Sequence, residues 1–183
     1  MIGVVLAAGE GRRMGRAKAR LELDGSTLVE LHVDRLLEVG ASEVLVVVRE
    51  PVRSRGRVLV AATRSQAESL AVATAALAST DAVIVTPVDL LPPEPATYRA
   101  LVAALRDPHD AVTPTFGGKG GHPVVLRPAA LAPFRTKEPP TLKDVLDALG
   151  PRRLRLRVDD ARVLGDFDTP SEWASRVVTL EGR

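Results

Sequence analysis

Short apolar runs alternate with longer amphipathic stretches along this chain. Residues 2–6, 44–48 and 82–86 are nearly unbroken in Val, Ile, Leu, Ala and Gly. A strand covered on both faces has no polar side to show, so such runs predict the central strands of a parallel sheet. Residues 58–60, 111–115, 123–126 and 154–158 are further strand candidates. Between them the period changes. Residues 27–39 put Val29, Val33, Leu36 and Leu37 on one side of a helix and Glu30, Asp34 and Glu38 on the other. His32 falls with the polar side and reads as a surface residue, as does His109 in the turn Asp107-Pro108-His109-Asp110. Thr27 with Glu30, and Ser65 with Glu68, have capping-box spacing. The helix after Ser65, residues 66–78, is apolar nearly all round and is predicted to be buried. Pro95 opens a helix to about residue 106. Thr141 caps 142–149, which Gly150-Pro151 ends, and Thr169-Pro170-Ser171-Glu172 caps a last helix to about residue 180.

Strand, helix, strand, twice over, predicts the α/β class: a single-domain, Rossmann-like, doubly wound, mostly parallel (mixed) sheet with helices on both faces. Pro and Gly cluster around 87–95, 114–123 and 133–140. No repeat or linker cuts the chain, so residues 1–183 read as one domain. Composition narrows the function. Lys plus Arg number 25 and Asp plus Glu 23, a formal net charge of +2, and aromatics are 3%. That leaves little for stacking bases, so no nucleic acid partner is expected. The absence of cysteine excludes disulfides, a thiolate nucleophile and Cys-ligated zinc. No stretch reaches the roughly 20 apolar residues of a membrane span. Arg12 and Arg13 follow the apolar start instead of preceding it, unlike a signal peptide. No membrane association and a cytoplasmic location are expected.

The chemistry starts at Leu6-Ala7-Ala8-Gly9-Glu10-Gly11-Arg12-Arg13-Met14-Gly15, where the first strand meets a glycine loop. A dinucleotide fingerprint needs a third glycine at position 14, which is Met14, and an acid after the second strand, where Arg49 stands. A Walker A loop needs Gly-Lys followed by Ser or Thr, and Gly118-Lys119-Gly120 lacks the hydroxyl. What the loop offers is a backbone nest, the planar fork of Arg13 and the mobile charge of Lys18, which is equipment for a triphosphate. An ordinary βα turn with surface arginines is the competing reading. A triphosphate brings a divalent cation, and magnesium takes carboxylate oxygens. Asp89 follows the run 83–88, past a strand end where ligands of open α/β sheets gather. Asp166 and Asp168, in Gly165-Asp166-Phe167-Asp168-Thr169-Pro170, are the other candidates, although Asp168 or Thr169 could instead cap the last helix. The stretch Gly117-Gly118-Lys119-Gly120-Gly121-His122-Pro123 reads as a flexible loop bordering a cleft.

Five segments, in order over nearly the whole chain, carry a resemblance: LAAGEGRRMGRAKARLELDG, QAESLAVATAAL, VTPVDLLPP, GGHPVVL and GDFDTPSEW. Together they resemble the nucleotidyltransferases that activate molybdopterin, the Gly-His-Pro element being similar to the molybdenum cofactor cytidylyltransferase branch. The resemblance implies transfer of a nucleotidyl group, CMP from CTP, to the phosphate of molybdopterin or a similar acceptor, with a recipient molybdoenzyme as a further partner. Leu6, Ala7, Ala8, Gly9, Gly11 and Ser69 would surround the nucleotide. Arg13 and Lys18 would hold the triphosphate, and with Asp89 would form the catalytic set. Asp89, with Asp166 or Asp168, would bind Mg²⁺, and His122 would face the acceptor. Ala-Ala-Gly after the first strand, where a guanylyl branch has Gly-Gly, leans toward CTP. Leu90-Leu91 departs from the Gln-Pro usual after that Asp, and Phe167 from Ile. Guanylyl transfer, transfer to another phosphate acceptor, and a non-catalytic accessory protein that binds the cofactor are the alternatives.

Overall fold

The computed structural model describes residues 1–77 and 81–181. Its first half runs β1 (Ile2–Ala7), β2 (Glu22–Leu23), β3 (Ser26–Thr27), α1 (Leu28–Glu38), β4 (Glu43–Val48), β5 (Arg57–Val60) and α2 (Gln66–Ala76). Then follow β6 (Val83–Pro87), α3 (Pro95–Ala104), β7 (Ala111–Phe116), β8 (Lys119–Gly120), β9 (Val124–Leu126), α4 (Leu142–Ala148), β10 (Arg153–Arg157) and α5 (Pro170–Glu181). The helix expected over 66–78 ends at Ala76, and Ala78 lies outside the described residues.

One sheet has the order β10-β7-β9-β6-β1-β4-β5, with β8 added beside β7. β1 runs parallel to β4 and β6, and β4 to β5. β9 is antiparallel to both β6 and β7, which makes the sheet mixed. β1 is thus flanked on both sides, as its unbroken apolar sequence requires. Side chains of successive strand residues leave opposite faces. Val5 and Ala7, Val44, Val46 and Val48, and Ile84 join one core with α1 and α3. Val4 and Leu6, Leu45 and Val47, and Val83 and Val85 join the other with α2 and α4. Helices on both faces follow from this alternation.

Helix ends obey local chemistry. Thr27 and Glu30 form a reciprocal capping box, and so do Thr141 and Asp144. At Ser65 the box is only half made: Ser65 caps the Glu68 N–H, while the Glu68 carboxylate turns to Arg64. Two expectations are corrected. The stretch 117–121 is a hairpin: Gly117 and Gly118, at φ 57° and 80°, close a tight turn and Phe116 pairs with Lys119. His32 is fully buried, on the stripe Leu28, Val29, His32, Val33, Leu36. It lies within the apolar face of α1, between Leu28 and Leu36, where the helix packs on the sheet, so position outweighs the polarity of its ring. No helix among the described residues is long and apolar enough to cross a membrane.

Candidate nucleotide site

Adjacent parallel strands deliver their following loops to the same sheet edge. β1 and β6 are neighbours, so the glycine loop after Ala7 and the segment after Pro87 emerge side by side. The Val88 N–H donates to the Leu6 carbonyl at 3.0 Å, tying them directly. The loop then turns at Gly11, whose φ of 62° is left-handed, and the Met14 N–H donates back to the Gly11 carbonyl at 2.9 Å. A Cβ on Gly11 would run into the carbonyl of Arg16. Gly11→Ala is therefore expected to force the loop open, at a backbone cost of about 1–3 kcal/mol. Titration with a nucleoside triphosphate should show affinity lowered by tenfold or more, about 1.4 kcal/mol.

Beyond the turn, Lys18 reaches back over the strand ends. Its Nζ donates to Asp168 Oδ1 at 2.8 Å and lies 3.8 Å from Asp89 Oδ2. The same ammonium sits 5.4 Å from the centre of the Phe167 ring, within cation–π range. Arg13 pairs with the second oxygen of Asp168 at 2.7 Å. Phe167 itself is buried against Trp173, and its N–H donates to the Asp89 carbonyl at 2.9 Å. The closing Asp-Phe-Asp segment is thereby docked onto the strand edge from the far end of the chain.

The carboxylates differ electrically. Burial pushes the Asp89 carboxyl above its usual range, against the pull of Lys18, and Asp166 and Asp168 add to the push. The hydrogen bond from Lys18 holds Asp168 below its usual range, helped by the charges of Lys18 and Arg13. A cation is thus already held between two carboxylates. Among the described residues, no group of three or more His, Cys, Asp or Glu side chains is close enough to cage a metal alone.

These groups border a cleft of about 580 Å³, a usual size for a small-molecule site. Of the residues singled out from sequence, Leu6, Ala8, Gly9, Gly11, Arg13, Lys18, Ser69, Asp89 and Asp168 line it. Ala7 does not, because strand alternation points it into the core beneath α1. Asp166 is exposed outside the cleft, yet its charge reaches both Asp89 and His122. His122 is half-buried outside the cleft, its Nδ1 without a hydrogen-bond partner. Burial pushes that ring down to about 4, against the opposing charge of Asp166.

The sequence reading missed the opposite wall. Arg49, just past β4, donates from Nη2 to the Thr63 carbonyl at 2.7 Å and pairs with Glu10 at 3.3 Å. Thr63 and Ser69 hydroxyls lie 2.6 Å apart, and Ser69 also donates to the Ser65 carbonyl at 3.1 Å. Ser69 has one hydrogen, so with that bond made Thr63 is the donor between them. Arg49 follows a central strand as Asp89 does, and that position was the available signal.

The sequence between residues 3 and 155 matches the family described as the MobA-like NTP transferase domain. A stretch of 49 residues is 55% identical to a probable molybdenum cofactor guanylyltransferase of Opitutus terrae, covering 27% of this chain and 24% of that relative. Among solved structures, Rv0371c from Mycobacterium tuberculosis H37Rv superimposes with a TM-score of 0.83 at 21% identity, over 97% of this chain and 98% of that one. A nucleotidyl transferase from Methanothermobacter thermautotroptrophicus gives 0.81 at 19% identity, over 100% and 98%. At such identities the likeness is one of fold.

Proposed function

The chain belongs to the family of MobA-like NTP transferase domains, and on that footing we propose that it transfers a nucleotidyl group, CMP from CTP by preference, to a phosphate-bearing acceptor of the molybdopterin class, releasing pyrophosphate. The observation that carries this reading is the meeting of Gly11, Arg13, Lys18, Asp89 and Asp168 around one cleft, although they arise from three distant parts of the chain. Backbone N–H groups of the loop, the Arg13 fork and the Lys18 ammonium are the cations and donors a triphosphate needs. Magnesium keeps several waters and takes one or two protein carboxylates together with substrate phosphates. Asp89 and Asp168 suit that requirement, since both already face the single charge of Lys18. When bound there, the ion would neutralise charge building on the phosphates.

An oxygen of the acceptor's phosphate forms a bond to the α-phosphorus, the bond from that phosphorus to its bridging oxygen breaks, and pyrophosphate leaves. The attacking oxygen is already ionised near neutral pH, so no side chain has to remove a proton. Arg13 and Lys18 hold the leaving group in line, and alignment with charge compensation supplies the rate. The acceptor would approach from the side of Asp166, whose charge reaches both Asp89 and His122; a recipient molybdoenzyme would collect the product.

The base preference rests on Ala8. Ala8 lines the cleft and is 3% exposed, and its methyl narrows the space beside the strand end, which favours a pyrimidine. A guanylyl donor is the second reading, supported by the stretch shared with the relative named a guanylyltransferase. Thermal-shift and pyrophosphate-release measurements with CTP, GTP, UTP and ATP, with magnesium and molybdopterin, separate them. CTP is expected to give the largest shift and fastest release, and Ala8→Gly to move preference toward GTP by about tenfold, the scale of a methyl-sized change in a pocket. A larger response to GTP in the native chain would install the second reading. Nucleotide binding without pyrophosphate release would make the protein a carrier.

A further inference from the structure

We propose that His32, on the buried face of α1, is a positioning residue that sets the backbone carrying Asp89. The inference rests on the role of Asp89 proposed above. Three consecutive backbone groups around that aspartate are held from three directions. The Val88 N–H donates to the Leu6 carbonyl at 3.0 Å, and the Asp89 carbonyl accepts from the Phe167 N–H at 2.9 Å. The Leu90 carbonyl lies 2.8 Å from His32 Nε2. Because a carbonyl only accepts, His32 must carry its proton on Nε2. The first two holds come from the glycine loop's own strand and from the Asp-Phe-Asp segment, so they align Asp89 with the other halves of the site. The third is the one made by a side chain, and it comes from beneath.

The ring is buried with Leu90 and Leu91, which are 2% and 5% exposed. It occupies a helix position where leucine would pack without burying a polar group. Its Nδ1 has no hydrogen-bond partner. A polar ring kept in an apolar stripe, with one nitrogen satisfied and the other not, is accounted for by what the satisfied nitrogen holds. Arg35, one turn along α1, donates from Nη1 to the Pro93 carbonyl at 2.7 Å and extends the same support down the segment. The Leu-Leu pair after Asp89 supplies apolar anchorage, and His32 fixes the peptide between the anchors. Deprived of that donor, the Leu90 peptide can rotate and swing Asp89 relative to Lys18.

The test compares the native chain with His32→Leu, His32→Gln and Asp89→Ala. Long-range proton–nitrogen spectra should show the Nε2–H tautomer, and an Nδ1–H ring would overturn the proposal whether or not the protein turns over. Amide exchange at residues 88–91 should rise in His32→Leu while β1 and β4 keep their protection. In pyrophosphate release, His32→Leu should lower kcat about 10–100-fold, the usual loss for a residue supporting a metal-binding carboxylate. It should also raise the magnesium concentration needed for half-maximal rate. KM for the nucleotide should stay within about threefold, since a loss confined to kcat reports an interaction that matters at the reacting centre. His32→Gln keeps an N–H donor and should recover most of kcat. If His32→Leu keeps native kcat and magnesium dependence while Asp89→Ala abolishes turnover, the positioning role falls and the site reading stands. If Asp89→Ala is without effect, the site reading falls instead, and tautomer and exchange still judge His32. Should His32→Leu fail to fold, His32→Gln carries the test: a near-native kcat and magnesium dependence with native exchange at 88–91 is expected, and an Nδ1–H tautomer of the native ring would overturn the proposal.

Discussion

Asp89→Ala should slow pyrophosphate release by about 10²–10³-fold, the loss seen when one preorganised electrostatic group is removed from a transition state. Its side chain is 25% exposed at the strand edge, beside the charge of Lys18. Burial holds its carboxyl above the usual range, so the group is costly to ionise and gains most from a cation opposite. Asp168 sits in the opposite circumstance, half-buried but more open than Asp89, with Lys18 and Arg13 paired to it. Removing Asp168 should therefore cost less than removing Asp89 and should leave Lys18 nearer the latter. Single-turnover pyrophosphate release at saturating nucleotide measures both. Near-native turnover of Asp89→Ala, with circular dichroism unchanged, would remove Asp89 from the mechanism.

Acidification should destabilise the fold between about pH 6.5 and pH 4, before the carboxylates as a class are protonated. Burial pushes His32 down to about 4 and His122 likewise to about 4. A group whose folded value is depressed is neutral in the folded chain and protonated in the unfolded one throughout that window. The unfolded state then binds more protons, so stability is full above about pH 6.5 and falls as pH drops toward 4. A displacement of that size corresponds to about 3 kcal/mol for one such group. Urea melts at pH 7.5, 5.5 and 4.5 should show the midpoint falling, and His32→Gln should flatten part of the slope. A midpoint constant across that range would show that both rings titrate normally.

Much of the frame was legible because the signals are local. Strand runs at 44–48 and 82–86 lie within a residue or two of β4 and β6, since an apolar run between turn residues has few other uses. Thr27, Ser65 and Thr141 each cap the helix they precede, because capping depends on a few neighbouring residues. Strand order is different. Nothing local says that β9 inserts antiparallel between β6 and β7, since that pairing is chosen by contacts across the sheet. His32 was misplaced because its type was weighed above its position. It lies four residues from both Leu28 and Leu36, so spacing alone put it on the buried stripe. The two-residue turn Asp24-Gly25 between β2 and β3 was also readable and passed over. In the site, the groups on β1 and just after β6 were found because glycine and aspartate carry recognisable chemistry. Arg49 and Thr63 were not, because ordinary residue types become a wall only when β4 lies beside β1.

Lys18 and Asp168 are separated by 150 positions yet touch at 2.8 Å. Such a contact has high contact order, and its closure entropy must be met by the rest of the fold before it forms. The contact lies outside the strand pairings of the sheet, and it joins the two ends of the proposed triphosphate site. Proteolytic nicking between Leu164 and Asp168 should leave a protein that retains its sheet but no longer discriminates nucleoside triphosphates from salt. On the proposed reading, the last residues to be docked would then be the ones that complete the loop at the other end of the chain.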